Sequence, residues 1–256
     1  MDHGVTATSE DLRIPFKVLA NKVIFPVTVG DSRPLEIVLD TGSPLDGLLL
    51  YNSALLDSIE LRNPMSARVG GAGSGAAQTA VMADSMSFRA GNVDFDGQRI
   101  VVLEGRALAG FPSDGVCGHS LFGSFVVELD YDRKMIFLHT PGEFSPDSTW
   151  TQLPITFKEN TIPWVEVAVG VGDADSVAKS CYIDLASRET LEFLIRDGMK
   201  FELPENLEDV YTGARAERGH LRAGGRYRLG GAGAPQDGRC DGCVHARGDQ
   251  VKATRR

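Results

Sequence analysis

Residues 35–50 read LEIVLDTGSPLDGLLL. Leu35 to Leu39 is a near-continuous apolar run, and it delivers a carboxylate, Asp40, at its end. The chain then turns on Thr41-Gly42-Ser43, and a second apolar run, Leu48-Leu49-Leu50, follows Gly47. Short apolar runs bounded by turn residues are the pattern of buried strands. A carboxylate at the end of such a strand is costly to bury unless something neutralises or uses it. Position 40 is therefore where the search for chemistry begins.

The same punctuation extends in both directions. Upstream, Phe25-Pro26-Val27-Thr28-Val29-Gly30 alternates and turns at Asp31-Ser32. Downstream, residues 52–61 have room for a short helix, and Gly70-Gly71-Ala72-Gly73-Ser74-Gly75 reads as a hairpin or loop before strand-like Thr79 to Phe88. Val93 to Leu103 is strand-like again. Phe125 to Tyr131 and Met135 to His139 flank Asp132-Arg133-Lys134 as a hairpin. Residues 14–140 thus form a mainly β unit.

A linker rich in Pro, Ser and Asp covers 141–149. Beyond it the opening phrase returns in altered form over 150–213. Trp164 to Gly170 parallels the strand and glycine of residues 25–30, and Ser180-Cys181-Tyr182-Ile183-Asp184-Leu185-Ala186-Ser187 parallels residues 36–43. A unit repeated once implies two lobes related by a pseudo-twofold axis, with the special features of each meeting between them.

After about Gly213 the composition changes. Residues 214–256 are rich in Arg and Gly and nearly free of aliphatics, a composition that buries too little apolar surface to fold alone. This tail is expected to be disordered or out of frame. Joining the last two bases of each codon to the first base of the next, from Ala214 on, permits the strand-like string RGLSGDISGQVGDIASV.

The 256 residues carry a net charge of −9, which argues against nucleic acid as a partner. With 42% hydrophobic residues a sizeable core is available, and no apolar run reaches membrane-spanning length. The first sixteen residues lack the basic and apolar regions of a leader, so the chain as written reads as cytoplasmic, or as periplasmic or secreted if the true start lies upstream. Cys117, Cys181, Cys240 and Cys243 form no disulfide framework.

The residues after Asp40 suit a specific chemistry. Gly42 permits a tight turn and close approach to a symmetry mate. Thr41 can send its hydroxyl to the opposite lobe, and Ser43 can hydrogen-bond the outer carboxylate oxygen. Two such aspartates side by side share one proton. The charged one takes a proton from water while the neutral one donates to a carbonyl. That is the constellation of an acid-pH peptidase.

Asp40-Thr41-Gly42-Ser43, followed at a suitable distance by Asp114-Gly115-Val116-Cys117-Gly118 and Leu121-Phe122, resembles the retropepsin-like aspartic peptidases, particularly the bacterial aspartyl protease family proteins. The resemblance is good over residues 20–140 and weak over 150–213. It implies an all-β, pepsin-like acid protease fold of two related barrel lobes, the second degenerate or incomplete. It implies Asp40 as a catalytic aspartate, with Val116, Cys117 and Gly118 packed beside its loop. Gly70, Gly71, Gly73 and Gly75 would lie in a flap over a peptide or protein substrate. No cofactor or metal is implied.

Asp184 is the natural second aspartate, and here the sequence departs from the family pattern. Leu185 stands where threonine would brace the loop, and Ala186 where glycine would permit the turn. Ser187 is retained. A homodimer pairing Asp40 with Asp40 is another route to a dyad. A peptide-binding module that has lost catalysis, or a truncated inactive product, is the alternative to an endopeptidase.

Other features are set aside. Cys240-x-x-Cys243 with His220 and His245 is at most half a zinc site, and no second pair exists. Cys117 reads as a small buried hydrophobe. His119 reads as the start of a short helix. Ser43 and Ser187 lack a histidine base signature. The glycine run lacks the Lys-Ser/Thr of a phosphate loop.

Overall fold

The computed structural model describes residues 5–6, 12–70, 77–105, 111–146, 148, 150–158, 161–171 and 177–187, with strand backbone in 207–212, 219–223, 227–231, 242–247 and 250–255. For 5–6, 169–171, 177 and the strands beyond 207, only the backbone is described. Gly71, Gly73, Gly75 and Cys240 lie outside the described residues, and the side chains of His220, Cys243 and His245 lie outside them as well.

The chain is mostly β, as expected. Seven strands of the main unit are β1 (Lys22–Thr28), β2 (Leu35–Leu39), β3 (Gly47–Leu50), β4 (Met65–Val69), β5 (Gln78–Ala90), β6 (Val93–Leu103) and β7 (Gly115–Cys117). Six of them close a barrel in the order β1-β2-β7-β3-β6-β5 and back to β1. Closure rests on β5, which pairs antiparallel with β6 and, at Ala90, with Val27 of β1. β5 is 13 residues long. Its register shifts between Ala83 and Met86, where Ser85 takes a left-handed φ of 57°. A bulge of this kind bends a strand, so one end of β5 serves the barrel while the other pairs with β4.

Side-chain alternation explains the near-continuous apolar run of β2. Leu35, Ile37 and Leu39 are wholly buried in the main core with Phe25, Leu48, Leu50, Phe88, Phe95, Ile100 and Leu121. Burying side chains of this size contributes about 1.5–3 kcal/mol each. Val38 faces the other way, into a small cluster with Ile24 and Val116. Both faces of β2 are therefore covered, which a half-exposed alternating strand could not tolerate.

A 3-10 turn, Ser53–Asp57, occupies the stretch where a short helix was expected. His119 opens helix α1 (His119–Phe122), and its Leu121 enters the core. Strands β8 (Val126–Asp130) and β9 (Met135–His139) form the expected hairpin. Asp130 Oδ1 accepts the Arg133 N–H at 2.9 Å within its turn.

The second unit contains β10 (Thr151–Lys158), β11 (Ile162–Val171) and β12 (Val177–Tyr182). Its own core is small: Ile155, Val165 and Val167, with Leu153, Phe157, Cys181 and Ile183 against them. The repeat seen in the sequence appears as register. Ile24 pairs with Val38 two residues before Asp40, and Trp164 pairs with Tyr182 two residues before Asp184. Strand β2 is flanked by β1 and β7, whereas among the described residues β12 pairs only with β11. Backbone strands Gly242–Arg247 and Gln250–Arg255 join β10 to β8 in the second sheet. Among the described residues no helix is long and apolar enough to cross a membrane.

Candidate active site

Asp40 leaves the end of β2 held from behind. Its N–H donates to Cys117 O at 2.8 Å, continuing the parallel pairing of Val116 with Val38 and Cys117 with Leu39. Gly118 lies against the Asp40 carbonyl so closely that a Cβ there would sit 1.9 Å from the oxygen. Only glycine fits such an approach. The Val116-Cys117-Gly118 segment thus packs beside the loop of Asp40.

Asp184 follows β12 after one residue, Ile183, whose N–H donates to Pro163 O at 2.9 Å. The carboxylate Oδ1 accepts the N–H groups of Ala186 and Ser187 at 3.0 and 3.1 Å. In the first loop Asp40 Oδ1 accepts Gly42 N–H at 2.9 Å.

The two loops meet. A Cβ on Gly42 would lie 3.2 Å from Asp184 Cγ, 3.4 Å from Asp184 Oδ1 and 3.3 Å from Asp40 Oδ1. Both carboxyl groups therefore flank one glycine, within a single chain. Thr41 ties the loops together: its hydroxyl donates to Ile183 O at 2.7 Å and accepts Leu185 N–H at 3.0 Å. Both bonds run from the first unit to the second.

Leu185 and Ala186, which stand where the first loop has Thr41 and Gly42, are accommodated by packing. Leu185 packs against the main core of the first unit, and Ala186 against the Ile24, Val38 and Val116 cluster. Ser43 behaves differently from expectation. Its hydroxyl accepts Leu45 N–H at 3.5 Å and has no hydrogen bond to the Asp40 carboxylate. The local turn to a residue two positions on captures the side chain. The Ser43 N–H makes the polar contact with Asp40 instead, donating to its carbonyl at 3.3 Å.

Burial, and next the Asp184 charge, push the Asp40 carboxyl up to about 6, with the Gly42 N–H and Lys22 opposing them. Desolvation and a like charge both disfavour the ionised form. Tyr51 is also affected: burial, then the charge of Asp40, push its phenol above the usual range. Burial pushes the Cys117 thiol up to about 12, so it serves as a small apolar residue.

Asp114, shortly before the Val116-Cys117-Gly118 segment, is engaged by Arg33 and the Glu36 N–H. Burial alone would raise its carboxyl, but the Arg33 guanidinium and Glu36 N–H bring it below the usual range. Arg33 holds it through two bonds of 2.9 and 2.6 Å, and Glu36 N–H adds a third at 2.8 Å. Such a fork locks β2 to β7. His119 Nδ1 meets Asp46 Oδ1. Among the described residues no group of three or more His, Cys, Asp or Glu is placed to hold a metal ion.

The β4–β5 hairpin ends at Val69 paired with Gln78, with Gly70 following β4. Ala67, Val69 and Met82 of this hairpin pack on the buried cluster of Ala80, Val101 and Leu103, as do Leu49 and Tyr51. Leu49 and Tyr51 also pack on the cluster carrying Ala186. The hairpin base and the second aspartate loop thus share neighbours. Sequence reading singled out neither Tyr51 nor Lys22, whose ammonium donates to Ala186 O. The only local signal for Lys22 is a lysine directly before the apolar run Val23-Ile24-Phe25.

No family model and no curated protein matches the chain. Among solved structures it is similar to a retropepsin-like aspartic protease from Rickettsia conorii, at 14% identity and a TM-score of 0.34, over 54% of this chain and 95% of that one. It is also similar to Basic 7S globulin from soybean, at 9% identity and a TM-score of 0.39, over 70% of this chain and 63% of that one.

Proposed function

We propose that the chain is an aspartic endopeptidase in which Asp40 and Asp184 form a single-chain dyad. The observation that carries this reading is the position of Gly42, where an added Cβ would lie within 3.4 Å of both carboxyl groups. Two carboxyls so placed hold one proton between them at mildly acid pH. The ionised member takes a proton from water as the water attacks the scissile carbonyl, and the protonated member donates to the carbonyl oxygen. Thr41, Gly42, Val116, Cys117 and Gly118 support the loop, and the hairpin carrying Gly70 acts as a flap over an extended peptide.

The test is cleavage of an unfolded protein near pH 5. The expected result is cleavage that a pepstatin-like transition-state mimic blocks and that Asp40→Asn or Asp184→Asn abolishes. A second reading, a peptide-binding module without catalysis, draws support from Leu185, which offers no reciprocal hydroxyl. It requires peptide affinity that survives Asp40→Asn with no cleavage by the parent chain. A homodimeric dyad of two Asp40 residues would leave Asp184→Asn active.

A further inference from the structure

We infer that Lys22 is a positioning residue for the acid pair, clamping the second aspartate loop from the first lobe in place of the missing reciprocal threonine. The inference rests on the dyad reading above.

Thr41 spends both of its hydrogen bonds on Ile183 and Leu185. In a symmetric pair the second loop would return an equivalent side-chain bond. Leu185 has no polar side-chain atom and packs, half-buried, against the core of the first unit. What joins the loops at the next residue is the ammonium of Lys22, which donates to the Ala186 carbonyl across 164 positions of sequence. The N–H groups of Ala186 and Ser187 are the ones that hold Asp184 Oδ1. A bond to the carbonyl between them fixes the orientation of that turn and so of the carboxylate.

Lys22 is placed for this by local structure. The turn before it runs through Ala20 and Asn21, both left-handed at φ of 51° and 60°, and pairs Leu19 with Lys22. Such a turn matches strand twist and fixes where β1 begins. Two residues on, Ile24 lies in the cluster against which Ala186 packs. The half-buried Lys22 therefore reaches Ala186 along the same contact. The Phe111 ring lies 6.0 Å from its Nζ, within the range of a cation–π attraction. Phe111 in turn meets Tyr51 edge-on at 5.6 Å.

The same ammonium acts on Asp40. The groups facing that carboxyl are Asp184 from the second loop, Lys22 from β1, Tyr51 from the end of β3 and Cys117 from β7. Lys22 alone among them is a cation, and it favours the ionised form. Loss of its charge should move the titration of Asp40 upward.

The experiment compares the full chain with Lys22→Met and Lys22→Arg, and with Lys17→Met as a control on the same hairpin, where Lys17 pairs with Glu36 instead. Carbon-13 carboxyl NMR should show Asp40 titrating about half a pH unit higher in Lys22→Met. Amide exchange at Ala186 and Ser187 should quicken about tenfold. Lys22→Arg and Lys17→Met should leave both near the parent values. In the cleavage assay Lys22→Met should lower kcat about tenfold with little change in KM, and shift the upper limb of the pH profile by the same half unit. Unchanged titration and exchange in Lys22→Met would overturn the inference. If Lys22→Met does not fold, Lys22→Gln is read by the same titration, with the same two outcomes. Because NMR and exchange need no turnover, a parent chain without cleavage would refute the endopeptidase reading while the role of Lys22 is still decided.

Discussion

The Thr41 hydroxyl donates to the Ile183 carbonyl at 2.7 Å, a bond spanning 142 positions of sequence. The same oxygen accepts Leu185 N–H at 3.0 Å, so one side chain brackets the residue before Asp184 and the residue after it. Position 184 is thereby fixed by a residue adjacent to position 40. The geometry of the proposed acid pair depends on a contact between the two units, although each builds its own strand and turn.

Thr41→Val removes both bonds at nearly constant volume. Two net hydrogen bonds correspond to about 1–3 kcal/mol of stability, with the half-buried Leu185 N–H left unpaired. Urea melts should show a lower midpoint with unchanged slope, and Thr41→Ser should recover most of the loss. Cleavage should fall further than stability, since a misplaced carboxyl of about 1 Å costs on the order of a hundredfold in rate.

Asp40 supplies a pH prediction whose sign follows from its raised carboxyl. The folded chain binds this proton up to about 6, whereas an unfolded aspartate releases it near 3.8. Between those values the folded state holds more protons, so stability falls as pH rises through the window and stays lower above it. Asp40→Asn removes the penalty. At pH 7.5 it should raise stability by no more than about 3 kcal/mol, and below pH 3.8 it should give little change. Thermal melts at the two pH values check this, and a destabilised Asp40→Asn at pH 7.5 would count against a strained acid pair.

How far the site was legible in sequence depends on the kind of contact. The alternation of β1, the apolar run of β2 and the turn at Gly42 are local patterns, and each element appears where its pattern predicts. The repeat around Asp184 was visible because the strand and carboxylate are spaced as in the first unit. What sequence could not show were contacts set by tertiary packing. The Ser43 hydroxyl is captured by Leu45 N–H, a choice between neighbouring partners that the residue types leave open. The Lys22 bond to Ala186 joins two lobes through a backbone carbonyl, which carries no residue signature. Leu185 looked like a defect in the motif, yet its side chain fills space against the first core.

Gly118 offers a test of the support behind Asp40. Added as alanine, a methyl group would overlap the Asp40 carbonyl oxygen at 1.9 Å. Neither partner is a flexible side chain, so backbone must shift, and the parallel pairing of β7 with β2 shifts with it. Gly118→Ala should lower stability by more than about 3 kcal/mol and abolish cleavage in whatever fraction folds. A near-normal melting temperature together with full cleavage would mean that this segment does not seat the loop.

The tail after Gly213 predicts a result at the nucleotide level. Under the out-of-frame reading, a single lost or gained base near codon 213 converts a patterned lobe into the Arg- and Gly-rich sequence of 214–256. Restoring the alternative frame should yield a chain that melts cooperatively at a higher temperature, because a completed lobe buries more apolar surface. A clean frame in independently prepared template DNA removes the prediction.

The pairing of Leu185 and Ala186 permits a gain-of-function test. Leu185→Thr with Ala186→Gly would rebuild in the second loop the residue types found at Thr41 and Gly42. By analogy with Thr41, the new hydroxyl is expected to bond the backbone of the first loop as Thr41 bonds Ile183. Against that gain stands the loss of Leu185 contacts with the first core, about 1–2 kcal/mol for a side chain that is only half buried. Stability should therefore change little or fall slightly, while kcat for an unfolded protein substrate rises several-fold as the acid pair is braced from both sides. The dependence on Lys22 should also weaken, so that Lys22→Met costs less in the double variant than in the parent chain. If the two backgrounds lose equally, the clamp and the threonine do not do the same job, and the asymmetry between the loops needs another cause.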